Sequence, residues 1–114
     1  MIDVSHPQLA YTLTEWTVKP DADDAFVAEW TQFSEWLLEH LGTESFSLIK
    51  DPARARHFVS VGVWSGHGSN VPWATFLQRL GRCRALCEQS HSRTYRPTVL
   101  LSRASRERAV DLAA

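Results

Sequence analysis

The residues with the clearest chemical potential lie between His57 and Trp73, in the run HFVSVGVWSGHGSNVPW. Its first half alternates as a strand does. Phe58, Ser60, Gly62 and Trp64 point one way, and His57, Val59, Val61 and Val63 the other. On the first face two large aromatics flank two small residues. A close-packed interior leaves no such gap unless a neighbour fills it. A half-polar gap walled by aromatics reads as a small-molecule pocket; the competing reading is a bulky helix residue that plugs it. The valine face is uniformly apolar and needs an apolar partner. A second strand, Leu9 to Val18, repeats the mixture, with Thr12, Thr14, Trp16 and Val18 on one face and Leu9, Tyr11, Leu13 and Glu15 on the other.

Three further groups could do chemistry. His67 sits in the Gly-rich loop Ser65-Gly66-His67-Gly68-Ser69-Asn70, where a loop beside a pocket could aim it as a general base; the alternative is a solvated loop histidine. Cys83, Cys87 and His91 recur every four residues, so a single helix face could present three zinc ligands. The two cysteines also continue an apolar stripe, and no metal is expected. Tyr95 and Arg96 could anchor a phenolate or carboxylate, or pair with an acidic helix. The sequence holds no phosphate-binding glycine fingerprint, and neither a Ser-His-Asp order nor paired carboxylates stand out for hydrolysis.

The elements that must position these residues follow in order. Leu9 to Val18 is a strand ended by Pro20. Asp21 is a plausible N-cap, with Asp23 and Asp24 in the first turn of a helix from about Ala22 to Leu41. Phe26, Trp30, Phe33, Leu37 and Leu41 make its apolar stripe, Trp36 falls off that stripe, and Gly42 suits the residue after the helix. Ser45 to Lys50 and the strand 57–64 form a hairpin around Asp51-Pro52-Ala53-Arg54. Trp73, Phe76, Leu80, Cys83 and Cys87 stripe a second helix. Ser92 to Ser102 is the last strand, where Pro97 suggests an edge or a bulge. The order β-α-β-β-α-β predicts an α+β, ferredoxin-like fold, an antiparallel sheet with both helices on one face. The first and third strands are then central. Their mixed faces lie side by side under the helices, and the valine face is left bare, which predicts a homodimer packed sheet to sheet.

Length and composition agree. The chain has 114 residues, 44% hydrophobic and 22% charged, and reads as a single domain over 1–114, with a loose arm (Met1 to Gln8) and a charged tail (Arg103 to Ala114). The net charge of −1 is split: residues 1–53 carry ten acids against Lys19 and Lys50, net −8, whereas residues 54–114 carry ten arginines against three acids, net +7. Elements of opposite charge side by side, or meeting across a dimer, explain this better than a nucleic-acid face, because the arginines lack aromatic interleaving. No run approaches the roughly 20 apolar residues of a membrane span, and MIDVSHPQLA lacks the pattern of a signal peptide. No nucleic-acid or membrane partner is expected, and two cysteines outside a Cys-x-x-Cys spacing point to reduced thiols in the cytoplasm.

The layout as a whole resembles the antibiotic-biosynthesis monooxygenase family of dimeric α/β barrels, over roughly residues 9–102. The marks are EWTVKP leading into the acidic-capped helix, the third strand ending Gly62-Val63-Trp64, and Trp73 opening the next helix. The family contains cofactor-free oxygenases that turn polycyclic anthrones into quinones, and haem-degrading enzymes. The quinone-forming members carry Asn-x-x-x-Trp along the third strand and a second Asn on the first; their Asn side chains are thought to orient substrate and stabilise an enolate-like oxygen. Here Trp64 matches the Trp, Ser60 stands at the first Asn and Thr14 at the second. The resemblance therefore implies Trp64, Ser60 and Thr14 as catalytic residues, with Trp16, Phe58, Gly62, His67, Trp73 and Tyr95 contacting a small aromatic substrate. The haem-degrading pattern fits less well, since Cys83 stands where a helix His is wanted. The expected activity is a cofactor-independent monooxygenase acting on an anthrone-type or related molecule, and the alternative is a non-catalytic ligand-binding or partner-supporting barrel.

Overall fold

Six elements account for most of the chain in the computed structural model, which describes residues 9–65, 71–101 and 103. They are β1 (Ala10–Val18), α1 (Asp23–His40), β2 (Thr43–Lys50), β3 (His57–Trp64), α2 (Trp73–Ala85) and β4 (Cys87–Tyr95). The strands form one sheet in the order β2-β3-β1-β4, every neighbouring pair antiparallel. This is the βαββαβ ferredoxin-like α+β fold, with β1 and β3 central as the element order predicts. No described helix is long and apolar enough to cross a membrane.

The core lies between the sheet and α1. Phe26, fully buried, sets its ring 5.2 Å from Trp16 and 5.4 Å from Phe58, joining the helix to both central strands. α1 then meets α2 through Phe33 and Phe76, 5.6 Å apart and edge-on. The acidic helix and the arginine-bearing helix therefore pack side by side. The α1 stripe is wider than its spacing suggested. Trp36 is buried as well, stacked on His40 and covered by the Arg79 guanidinium 5.6 Å from its ring.

The helix ends differ from expectation. Asp21 does not cap α1: it takes a left-handed conformation (φ 62°), and Ala22 occupies the N-cap position without a side-chain cap. At the other end the chain extends straight from Leu41 into β2, and Thr43 Oγ1 donates to the Leu37 carbonyl, so no left-handed glycine terminus is needed. The β2–β3 turn is as its residues indicate. Asp51 Oδ1 accepts from Ala53 N at 2.8 Å, and Asp51 N donates to the His57 carbonyl at 3.0 Å.

The largest correction is at α2 and β4. The helix stops at Ala85, and β4 runs over Cys87–Tyr95, not from Ser92 to Ser102. The cause is capture by β1: Lys19 N donates to the Leu86 carbonyl and Cys87 pairs with Val18. Cys83 and Cys87 are both buried, as a helical stripe would require, but they belong to different elements. That separation undoes the helical spacing of Cys83, Cys87 and His91, and it leaves Pro97 beyond the strand.

Candidate active site

The inner face of the sheet is built in cross-strand rows. One row runs Phe46, Gly62, Thr12, Thr94; the next runs Leu48, Ser60, Thr14, Ser92; the third runs Lys50, Phe58, Trp16, Ser90. Thr14 and Ser60 are thus direct partners across β1 and β3, with Gly62 and Trp64 further along β3 on the same face. Exposure rises steadily along β1, from 0% at Val18 to 3% at Trp16 and 9% at Thr14, and Thr12 is half-buried. On β4, Ser92 and Thr94 are exposed. The helices therefore roof the Trp16 end and leave the Thr12–Ser92 end exposed toward β4.

Each polar side chain that β1 and β3 present on this face has a defined partner. Trp16 Nε1 donates to Ser60 Oγ at 2.9 Å, and Trp64 Nε1 donates to Thr12 Oγ1 at 2.8 Å. Thr14 Oγ1 and Ser92 Oγ lie 2.8 Å apart, and either can be the donor. A hydroxyl that accepts from an indole keeps its own proton to donate. Ser60 and Thr12 are therefore oriented as donors, and one proton of the Thr14–Ser92 pair is also free. The arrangement can hydrogen-bond an oxyanion in aromatic surroundings.

The gap at Ser60 and Gly62 is partly filled, by strands and not by a helix. The Trp16 indole reaches Ser60. The Phe46 ring lies on Gly62 so closely that a Cβ there would sit 2.6 Å from Phe46 Cε1 and 2.8 Å from Thr12 Oγ1.

The remaining sequence candidates scatter. Phe58 is buried against Phe26 and acts as a core wall. Trp73 is 60% exposed at the start of α2, edge-on to Phe76 at 5.3 Å. Tyr95 pairs with Tyr11, which places it on the helix-free face, whereas Ser92 and Thr94 pair with the inward Thr14 and Thr12. His67 lies outside the described residues. The thiols are not nucleophiles at neutral pH. Burial first, then Glu29 and then Cys87, pushes Cys83 up to about 12, and burial outweighs the opposing effect of Lys19 to push Cys87 up to about 11. Among the described residues, no three His, Cys, Asp or Glu side chains are grouped to hold a metal.

In overall shape the chain is similar to two crystal structures of SnoaB, a cofactor-independent oxygenase from Streptomyces nogalater. Their TM-scores are 0.71 and 0.70, at 16% and 18% identity, over 82% of this chain and 97% of theirs. A candidate antibiotic biosynthesis monooxygenase from Bordetella bronchiseptica superposes with a TM-score of 0.67 at 11% identity, over 81% of this chain and 99% of that one. The fold is that of the antibiotic biosynthesis monooxygenases. No sequence-family profile matches the chain, and no curated protein matches it by sequence.

Within that monooxygenase fold, three contributors escape a reading of the sequence. Thr12 was visible on the right face but not as the anchor of Trp64. Ser92 needed the pairing of β4 with β1, which sets it opposite Thr14. The signal for it was the alternation Ser90, Ser92, Thr94, small polar residues matching Thr12 and Thr14. Phe46 carried no local signal, because its role depends on which residue faces it across β2 and β3.

Proposed function

We propose that the inner face of the sheet binds an electron-rich aromatic of the anthrone type, or a smaller relative, and promotes its oxidation by O2 without a cofactor. The observation that carries this reading is the cross-strand pair of Thr14 and Ser60 hydroxyls, with Trp64 two rows further along the same face, in the fold of a cofactor-independent oxygenase. The ligand stacks near Trp64, and its oxygen accepts from Ser60 or Thr14, which favours the deprotonated form. That carbanion passes one electron to O2. The resulting radical and superoxide combine into a carbon-bound peroxide, and loss of water leaves a carbonyl, so one oxygen atom ends in product and the other in water. The residues supply a water-poor surface and donors; the ligand supplies the electrons. The helix-free face, with Val59, Val61, Val63, Leu13 and Tyr11, is covered by a second copy of the chain. Two buried free thiols suit a reducing cytoplasm.

A second reading has its own support. The hydroxyls of Thr12, Thr14, Ser60 and Ser92 already have protein partners, as a purely structural face would show. On that reading the dimer holds a ligand without turnover. The test compares O2-dependent conversion of an anthrone by wild type, Ser60→Asn and protein-free buffer, with anaerobic controls. Conversion above buffer that rises in Ser60→Asn supports the enzyme. Equal rates in all three leave the binding protein.

A further inference from the structure

Phe46 separates the two halves of the proposed pocket. Trp64 lies one row beyond Gly62, and Ser60 and Thr14 lie one row before it. A ligand that stacks at Trp64 and reaches either hydroxyl must therefore cross the row of Phe46, Gly62, Thr12 and Thr94. On the β2 side that row is closed. Glycine lets the Phe46 ring rest on the backbone, and the ring is held edge-on by Trp64 at 5.5 Å and by Trp30 at 6.5 Å, with interplanar angles of 88° and 85°. Trp64 is itself fixed by its bond to Thr12, so the ring does not gain room by Trp64 turning. On the β1 and β4 side the row holds only threonines, Thr12 half-buried and Thr94 exposed.

We infer that Phe46 determines specificity: with its ring seated on Gly62, the passage from Trp64 to Ser60 and Thr14 runs over Thr12 and Thr94 alone, and it accepts phenols of one or two fused rings in preference to three. A narrow ligand lies along that strip. A three-ring ligand spanning it also meets Phe46 and must displace a ring held on two sides by tryptophans. This rests on the inner face being the ligand pocket, and it narrows that reading to the compact end of the aromatic class.

The test is anaerobic calorimetry of phenol, 2-naphthol and 9-phenanthrol on the full chain, a series whose three-ring member is angular and therefore wider than the other two. Wild type should bind 2-naphthol best. Phe46→Ala should bind 9-phenanthrol about tenfold or more tighter than wild type, with little change for phenol, since steric fit in an apolar pocket is worth that order. Phe46→Leu, which keeps more of the packing, should move in the same direction by a smaller factor and stands in for Phe46→Ala if that variant does not fold. Unchanged ring-number preference in the folded Phe46 variants overturns the inference. Trp64→Phe separates the two ideas. If it weakens all three ligands while Phe46 variants change nothing, the pocket stands and the role of Phe46 falls. If no phenol binds wild type or variants, or Trp64→Phe leaves every affinity unchanged, the pocket reading falls and the inference with it.

Discussion

The two faces of this sheet come from the same strands but pose opposite packing problems. On β3 the inward residues are Phe58, Ser60, Gly62 and Trp64, and the outward ones are His57, Val59, Val61 and Val63. Inside there is too little side chain in the middle, and the deficit is met by aromatics lent from neighbouring strands, Trp16 to Ser60 and Phe46 to Gly62. Outside there is a surplus of apolar surface with no helix over it. At one end the outer face turns polar. A depression of about 400 Å³ has Glu15, Thr17, Arg54, His57, Gln89 and His91 in its lining, and Arg54 Nη1 lies 3.5 Å from His57 Nε2. The lesson is that alternation assigns residues to faces, while the completeness of each face is decided by its neighbours.

That contrast can be broken most strongly in the core. Phe26→Ala removes the ring that ties α1 to Trp16 and Phe58, and should lower the unfolding free energy by about 3–5 kcal/mol in a urea titration. Ile49→Ala, a truncation at a site 56% exposed on the outer face, should change it by less than about 0.5 kcal/mol. Comparable losses would mean the two faces are equally packed.

Val61→Glu attacks the outer face alone. If a second copy covers that face, the variant places a charge in an apolar contact and should weaken association by about 2–3 kcal/mol. Sedimentation at micromolar concentration should then show a dimer for wild type and a monomer for the variant, both with the same helical circular dichroism. A monomeric wild type would refute the dimer.

Ser60→Ala sharpens the inner half of the comparison. It leaves the buried Trp16 indole N–H without an acceptor, at a cost of about 1–3 kcal/mol. Ser92→Ala, at an exposed position, should cost less. Equal effects would show that water already reaches Ser60.

The smallest effect at neutrality is that of Cys83, which appears only in alkali. Its thiol is raised from 9.0 to about 12, mainly by burial. Above pH 9 the unfolded chain releases this proton while the folded chain retains it, so stability is full below that pH and is lost as pH climbs toward 12. Cys83→Ala should show a smaller drop between pH 8 and pH 10 in denaturant titrations. An identical drop would place the thiol in water.

The sequence by itself determined the element order, the central strands and which residues of β1 and β3 share a face. These follow from local periodicity: a side chain on a strand alternates whatever it pairs with. Thr14, Ser60 and Trp64 could be put on one surface because each strand carries its own pattern. The tertiary structure decided where α2 ends, because Leu86 leaves the helix only through its bond to Lys19 and the pairing of Cys87 with Val18. The sequence offered there an unbroken four-residue spacing of cysteines, which a helix and a helix-to-strand junction satisfy equally well. Tyr95 faces the helix-free side for a related reason: it pairs with Tyr11, and pairing register decides which residues of a strand face in. Phe46 on Gly62, Trp16 on Ser60 and Trp64 on Thr12 are likewise products of register. Each joins residues more than fifteen positions apart, and nothing local to either partner specifies the other.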